Sequence, residues 1–328
     1  MNQHAKWSTC IAVALFLSAH VFAGLAPRCA PVFRTDAPPK VDGVLGDACW
    51  QGLPWASGFR ALGGGPAGRQ TRFAMLWDAE NLYVAVRMEE PNAERLVARV
   101  KRRDGSVWKD DSAELFVTPV PDRKPYFHFV ANSIGTQFDE EVQSAIWNAS
   151  WRIGTNVGED YWALELAIPF EAIGFAPAEG KTLRGNVNRT RCAGGGEAYS
   201  TWTPIVGGFH DFERFGTFRL TGRAGPEAQE IAAKMDAPFR QAMEEDMRRA
   251  WNEVLARSKT IALAERAELL RGEAAKLKER VDKARKAIEK RGLLDAALSG
   301  RIAPMRKLAA DLRELEYRAK IEQLLAEP

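Results

Sequence analysis

The chain has 328 residues, of which 27% are charged and 9% aromatic, and its formal net charge is +3 at pH 7. So small a charge on a chain of this length gives no electrostatic basis for binding nucleic acid or an anionic membrane surface. The length is sufficient for two domains, each with its own hydrophobic core.

The first residues predict export. Lys6 precedes an apolar stretch at residues 10–22 that is too short to cross a bilayer, and residues 21–23 form a small-residue cleavage site. We therefore predict a signal peptide over residues 1–23 and a secreted or periplasmic mature protein, with a retained N-terminal anchor as the alternative. No later stretch of sequence is apolar enough to span a membrane, so an integral membrane protein is not expected.

Three cysteines, Cys29, Cys49 and Cys192, follow the predicted cleavage site. In an oxidising compartment an odd number leaves at least one thiol unpaired, and a bridge from Cys29 to Cys49 would fasten the N-terminal arm. None of the three has the spacing of a metal site, so we expect one bridge and one buried thiol.

The composition of the mature chain changes near Gly222. Residues before this point are rich in Gly, Trp and Phe, whereas Ala, Leu, Glu, Lys and Arg dominate after it. We predict two domains, at residues 24–222 and 223–328.

Four segments of the first domain alternate between apolar and polar residues, which predicts strands with one face toward the core and one toward solvent. The core-facing residues are Leu82, Val84, Val86 and Met88; Ala113, Leu115 and Val117; Phe127, Phe129 and Ala131; and Trp162, Leu164, Leu166 and Ile168. Only residues 169–174 predict a short helix. Many short strands without long helices between them predict an antiparallel β-sandwich or jelly roll.

The same alternation indicates which polar side chains share a surface. If the apolar positions face the core, then Glu114, His128, Asn132 and Asn188 face away from it. A carboxylate and amides offer the mixed acceptors and donors that sugar hydroxyls require, and Trp108 at the rim offers an apolar plate for a pyranose ring. The pattern therefore favours a sugar-binding surface.

Six motifs in a fixed order make the first domain similar to a family 9 carbohydrate-binding module, a DOMON-like β-sandwich found beside xylanases and in many exported bacterial proteins. They lie at residues 42–50, 75–84, 108–116, 165–170, 186–189 and 214–216. The resemblance covers residues 32–221. It implies a non-catalytic module that binds mono-, oligo- or polysaccharide and assists polysaccharide breakdown.

In sugar-binding members of that family, two aromatic rings sandwich a terminal sugar above polar groups that recognise its reducing-end hydroxyls. The resemblance implies that Trp108 is one plate, that Glu114 is the carboxylate, and that Asn132 and Asn188 are the amides. The second plate falls at Phe209, where sugar-binding members have tryptophan, and Val130 stands where they have arginine. These departures bear on reducing-end specificity more than on sugar binding in general.

The acidic residues of this region suggest two further roles. Asp110, Asp111, Glu114 and residues 139–141 would supply a glycosidase pair, although acids at the mouth of a β-sandwich are as often calcium ligands or turn caps. The resemblance implies structural calcium, with Asp110 and Asp139 as the candidate ligands. Because the sequence contains no catalytic triad order, no zinc-spaced histidine pair and no phosphate loop, we expect no catalysis and no required cofactor.

Two other functions are alternatives to sugar binding. Related DOMON-like domains hold haem b, and the candidate iron ligands here are His128, His210 and Met88. A structural envelope protein with a degenerate sugar site would explain Phe209 and Val130.

Six further tryptophans of the first domain have predicted positions. We predict that Trp50, Trp77, Trp162 and Trp202 are buried, because burial is the commoner state of this residue. Trp147 and Trp151 either extend the binding surface or cover one end of the sandwich.

Three apolar stripes at helical spacing occupy the second domain and predict an all-α helical hairpin or a three-helix coiled-coil-like bundle. They consist of Met235, Phe239, Met243, Met247, Trp251 and Leu255; of Leu263, Ala267, Leu270, Ala274, Leu277, Val281, Ala284 and Ile288; and of Met305, Leu308, Leu312, Leu315 and Ala319. Pro238 is predicted in the first turn of the first helix, and Pro304 just before the third. The helices would serve as a spacer, or as a surface for a second copy or a protein partner.

Overall fold

The computed structural model describes residues 27–62, 67–119, 126–141, 146–196, 198–205, 207–298 and 301–326. The predicted signal peptide lies outside the described residues. No helix in these ranges combines the length and apolarity needed to cross a bilayer. The described chain forms two compact units, one ending at Phe239 and the other beginning at Arg240. The predicted domain boundary at residue 222 stays a prediction.

Twelve strands of the described chain form one hydrogen-bonded sheet in the first unit. They are β1 (Cys29–Arg34), β2 (Arg60–Ala61), β3 (Thr71–Trp77), β4 (Asn81–Glu89), β5 (Ser112–Thr118), β6 (Phe127–Asn132), β7 (Gln137–Glu141), β8 (Arg152–Val157), β9 (Tyr161–Pro169), β10 (Thr182–Arg191), β11 (Ala198–Thr201) and β12 (Gly216–Arg223). The main path runs β7-β6-β5-β10-β12-β1-β3-β4-β9-β8, with β11 beside β10 and β2 beside β11. Pairing is antiparallel, except that β1 lies parallel to both β12 and β3.

The sheet curls so that its two halves share one core, which makes it a β-sandwich. Leu115 and Phe129 from one half belong to the same buried cluster as Val84, Leu164 and Phe218 from the other. All the core-facing residues predicted on β4, β5, β6 and β9 are in this cluster. The alternation thus identified the inner face of each strand correctly, and the short helix predicted at 169–174 is a 3₁₀ turn at Phe170–Ile173.

The prediction of a wet outer face on these strands is wrong, because every residue of β5 and β6 is buried. On β4, Tyr83 and Ala85 pack against Trp50 from the segment before β2 and against Ala228. On β5, Phe116 is covered by aromatic residues from loops. Covering segments that are distant in sequence therefore make the outer face a second buried layer.

Glu165 fixes one of these covering segments in place. Its carboxylate is fully buried and accepts hydrogen bonds from the backbone N–H groups of Asp42 (3.0 Å) and Gly43 (2.7 Å), and from Nε1 of Trp50 (2.7 Å). Gly43 has a φ of +81°, and a Cβ there would lie 2.4 Å from the carbonyl carbon of Thr155. The motif at residues 42–50 is thus a structural clamp.

The tryptophan predictions can be checked directly. Trp50, Trp77, Trp162 and Trp202 are buried, as predicted. Trp151 is buried against Phe129, and the half-buried Trp147 packs on Phe127 and Phe129. Both of these tryptophans therefore cover one end of the core rather than extend a binding surface.

The predicted bridge between Cys29 and Cys49 is wrong, since neither cysteine forms a disulfide within the described chain. Cys29 lies on β1, where burial and the nearby charge of Asp236 raise the pKa of its thiol to about 11. Burial, together with the charge of Asp47, likewise raises the pKa of the Cys49 thiol to about 11. The two thiols therefore occupy different environments.

We expect Cys29 and Cys49 to react slowly with a disulfide reagent in the folded protein. A pKa of about 11 leaves roughly one hundredth of the thiolate that an ordinary cysteine holds at pH 8, and the thiolate is the reactive form. In a Cys192→Ser variant, reaction with Ellman's reagent should be slow in buffer and complete in urea. Failure of the two thiols to titrate in urea would show that they are bridged after all.

The second unit is helical, as predicted. The helices after the sheet are α1 (Ala228–Ser258), the single-turn α2 (Ile261–Ala264), α3 (Arg271–Arg291), α4 (Leu293–Leu298) and α5 (Ile302–Ala326). The third predicted stripe is buried along α5, and ion pairs join neighbouring helices, including Arg257–Glu316 at 2.8 Å and Arg318–Glu273 at 2.6 Å. The described helices thus pack as a bundle rather than as isolated coiled-coil strands.

Two details of the helical prediction are wrong. Pro238 lies inside α1, which begins at Ala228, and Pro304 lies inside α5, which begins at Ile302, so neither proline is where it was predicted. The continuous seam from Leu263 to Ile288 is broken between α2 and α3, so that its fully buried part runs only from Leu270 to Val281. Heptad spacing in the sequence cannot detect this interruption. The spacing of apolar residues continues across the turn when the segments on both sides pack on the same neighbour.

Candidate functional site

A cavity of about 580 Å³ opens on the outer side of β5, β6 and β7. Four of the predicted ligand-binding residues line it, namely Trp108, Glu114, His128 and Phe209. The others in its lining are Leu62, Lys109, Phe138, Glu140, Thr190, Tyr199, Gly208 and His210. Loops and five strands therefore bring the predicted residues together at one site.

Aromatic rings form the walls of the cavity. Trp108 stands in a 3₁₀ turn before β5 with 38% of its surface exposed, and its ring meets Phe138 edge-on at 4.8 Å. Phe209 meets Tyr199 edge-on at 6.0 Å, and Tyr199 is 39% exposed. Trp108 and Tyr199 therefore both expose ring surface in the lining of one cavity.

Phe138 and Tyr199 were not predicted as site residues, although the sequence contains a pattern that indicates each of them. Phe138 is an apolar residue between the polar Gln137 and Asp139. The pairing of β7 with β6 decides which face of the sheet its side chain is on. Tyr199 pairs with Thr190, which lies two residues after Asn188 and so shares its outer face. Cross-strand register would have found both.

The floor of the cavity is a chain of three charged groups. His128 donates from Nε2 to Oε2 of Glu114 at 2.8 Å and from Nδ1 to Oε1 of Glu140 at 3.0 Å. Thr190 donates its hydroxyl to the other oxygen of Glu114 at 3.3 Å. His128 and Glu140 are directly opposite each other in the β6–β7 pair, so the sheet register fixes this arrangement.

Burial alone lowers the pKa of His128, but the hydrogen bonds that the ring donates to Glu114 and Glu140 outweigh it, and the pKa is raised. For Glu140, burial raises the pKa, while the hydrogen bond and charge of His128 and the charge of His210 lower it to below its usual range. An imidazolium between two carboxylates is favoured, and it is stacked on Phe116 at 3.9 Å.

Asn132 does not line the cavity. Its Nδ2 donates to the carbonyl of Val100 and to Asp110, and its Oδ1 accepts from the backbone N–H groups of Ile134 and Thr136. The side chain therefore holds the turn that connects β6 and β7.

Asn188 lies directly beside Glu114 in the β5–β10 pair. Its Oδ1 accepts from Asn186, but its buried Nδ2 has no hydrogen-bond partner among the described residues. An unsatisfied buried amide costs about 1–3 kcal/mol. Asn188 therefore lies beside the floor but does not line the cavity.

Asp110 and Asp139, the candidate calcium ligands, are surrounded by nitrogen donors. Asp110 accepts from the N–H of Val100 and from Asn132. Asp139 accepts from Trp151, from the N–H of Ala149 and from Arg103. Such surroundings do not fit calcium, which prefers a shell of oxygen ligands, and binding of calcium stays a prediction.

The three haem-ligand candidates are not all together. His128 and His210 both line the cavity, and Nδ1 of His210 lies 2.9 Å from the hydroxyl of Tyr126. Met88 is fully buried in the main core, on the inner face of β4. The outer-face cavity therefore combines the histidines without the methionine.

We compared the chain with known proteins. No match was found among curated proteins. A carbohydrate binding module family 9 from Caldicellulosiruptor kristjanssonii, solved in complex with cellotriose, is 17% identical, with 61% of this chain and 97% of that chain covered and a TM-score of 0.48. The glucose complex of a family 9 module from the same organism is also 17% identical, with 59% and 97% covered and a TM-score of 0.45.

A family model gives a clearer result. The model described as "Carbohydrate family 9 binding domain-like" matches residues 41–223. The match runs from just before the clamp motif at residues 42–50 to the end of β12 and includes every strand that contributes to the cavity floor. Because it covers more than half of the 328 residues, the chain belongs to the carbohydrate family 9 binding domain-like family.

Proposed function

We propose that the first unit binds carbohydrate in the cavity between Trp108 and the Tyr199–Phe209 pair, without catalysing a reaction. One observation carries the proposal: exposed aromatic walls and a polar, charged floor meet in a single cavity. Family membership supports it, since family 9 modules are non-catalytic carbohydrate-binding domains.

The walls suit the apolar faces of a sugar. The C–H groups of a pyranose ring pack on the face of an aromatic side chain, and Trp108 offers the largest such area in the cavity. Phe209 and Tyr199 provide aromatic surface in the same lining. The volume of about 580 Å³ lies within the range of about 300–1,000 Å³ for small-ligand sites, enough for a mono- or disaccharide.

The floor suits the hydroxyl groups of a sugar. Carboxylate oxygens of Glu114 and Glu140 accept hydrogen bonds from hydroxyl groups, and the ammonium of Lys109 donates to them. Bonds to charged acceptors are stronger than bonds between neutral groups, so the floor favours the more acidic anomeric hydroxyl. This is our basis for a reducing-end preference.

Export and a role in polysaccharide breakdown complete the proposal. Support for export comes from the signal peptide predicted at residues 1–23. Outside the cytoplasm, a binding module retains a glycan near glycoside hydrolases, with the helices as a spacer or a dock for a partner.

Calorimetric titration of the protein tests the proposal. We expect heat of binding with glucose, xylose, cellobiose or xylobiose, and loss of binding when the disaccharides are reduced with borohydride. Binding that survives reduction would contradict the reducing-end preference but retain sugar binding. A folded protein that binds none of these sugars, with or without calcium, would contradict the proposal and favour the haem or structural alternatives.

A further inference from the structure

Three side chains at the cavity floor converge in a way that sugar binding does not require. One potential ligand atom from each of His128, Glu140 and His210 lies within 4.8 Å of the other two. They come from β6, from β7 and from the loop before β12. Two imidazoles and a carboxylate make up the ligand set of many sites for zinc and related divalent metals.

The surrounding hydrogen bonds already orient both rings. Glu114 accepts from Nε2 of His128, which directs Nδ1 toward Glu140. The hydroxyl of Tyr126 lies 2.9 Å from Nδ1 of His210, which presents Nε2 as the ligating nitrogen. A carboxylate or hydroxyl on the second nitrogen of a ligating histidine is the usual outer-shell support of a metal site.

Charge favours a cation at this place. The floor holds two carboxylates and one histidine, so a divalent ion that replaces the histidine proton would balance both acids. His128 is buried between its partners, and His210 is exposed. Ligand atoms around zinc lie about 3.3 Å apart, given bond lengths of about 2.0–2.1 Å and tetrahedral angles, so the three ligand atoms, which lie within 4.8 Å of one another, must move closer together when the ion binds.

We propose that His128, Glu140 and His210 bind a zinc-type divalent metal ion, with a fourth coordination position open to the cavity. Nitrogen-rich ligation selects zinc and its transition-metal neighbours over calcium and magnesium, which require oxygen ligands. Three protein ligands and an open position also distinguish the site from closed structural zinc sites. The metal site does not depend on the proposed function. Only the statement that its open position faces a bound sugar rests on that function.

The test is metal binding by the purified protein, stripped with chelator and prepared without a histidine tag. We expect about one Zn²⁺ per chain in calorimetry, and visible d–d absorption with Co²⁺ that lacks the near-ultraviolet charge transfer of thiolate ligands. His210→Gln, on an exposed side chain, should weaken zinc binding by more than about 100-fold. Tyr126→Phe should weaken it by about 10-fold, as an outer-shell partner does.

Trp108→Ala is the matched control, because Trp108 lines the cavity but offers no metal ligand. This variant should keep its zinc while losing sugar. Absence of zinc binding by the wild-type protein, or equal zinc affinity in His210→Gln, would overturn the metal site whether or not sugar binds. Zinc binding together with silence across the sugars would overturn only the proposed function.

Discussion

Replacement of Trp108 by alanine is expected to weaken carbohydrate binding by about 30-fold or more, which corresponds to about 2 kcal/mol. The reason is that Trp108 is the largest aromatic side chain in the lining of the cavity. Folding should change little, because 38% of the Trp108 surface is exposed and its ring makes an edge contact with Phe138. Affinity should be measured by calorimetry and the melting temperature by circular dichroism.

Trp55→Ala provides the matched control for this variant. Trp55 is also a partly exposed tryptophan, but it packs on the second core layer beside Arg72 and does not line the cavity. Its loss should lower stability without changing sugar affinity. Normal affinity in Trp108→Ala, in folded protein, would show that the sugar binds elsewhere.

Replacement of Glu165 by alanine is expected to lower the free energy of unfolding by about 3–5 kcal/mol. The change leaves three buried N–H groups, on Asp42, Gly43 and Trp50, without their acceptor. Each unsatisfied buried group costs about 1–3 kcal/mol, and water entering the gap recovers part of the total. Urea unfolding followed by tryptophan fluorescence measures the loss.

Two substitutions control for this effect. Glu171→Ala removes an exposed carboxylate from the neighbouring 3₁₀ turn and should change stability by less than about 0.5 kcal/mol. Glu165→Gln keeps one acceptor oxygen, so its loss of stability should lie between the losses in Glu171→Ala and Glu165→Ala. A loss in Glu165→Ala no larger than in Glu171→Ala would contradict the clamp.

The clamp also has a pH dependence. Burial raises the pKa of Glu165 above its ordinary value, despite the three hydrogen bonds it accepts. The folded protein then holds that proton more tightly than the unfolded chain does. The stabilisation that comes from this raised pKa is fully present below the ordinary pKa of glutamate. It is lost as the pH rises through the raised pKa of Glu165. The advantage of the wild type over Glu165→Gln should therefore shrink as the pH rises.

Much of the fold could be predicted from local pattern. Alternation at Leu82–Met88 or Trp162–Ile168 has a period of two, which only a strand satisfies, and it identified the inner face of each strand. The same pattern could not show that Tyr83 and Phe116 are buried too. Their covering residues, such as Trp50 and Phe215, are far away in the sequence.

The candidate site was predicted in part. Alternation along the strands placed Glu114 and His128 on one surface, with Trp108 predicted at its rim, and all three line one cavity. Asn132 has the same parity but serves the adjacent turn, because its place at the end of β6 brings backbone N–H groups within reach. Alternation specifies which face of the sheet a side chain is on, but it does not specify how far along the strand the functional site lies.

The sequence by itself determined the strand faces, the helical character of the last third of the chain and the family to which it belongs. The strand faces and the helical character depend on residues within about ten positions of one another, and the family depends on motifs that are each no longer than this. Only the tertiary structure decided that His128 lies between Glu114 and Glu140, and that His210 reaches the same floor from a distant loop. Such contacts depend on strand register and loop paths, which are set by packing across the whole sheet rather than by any local pattern.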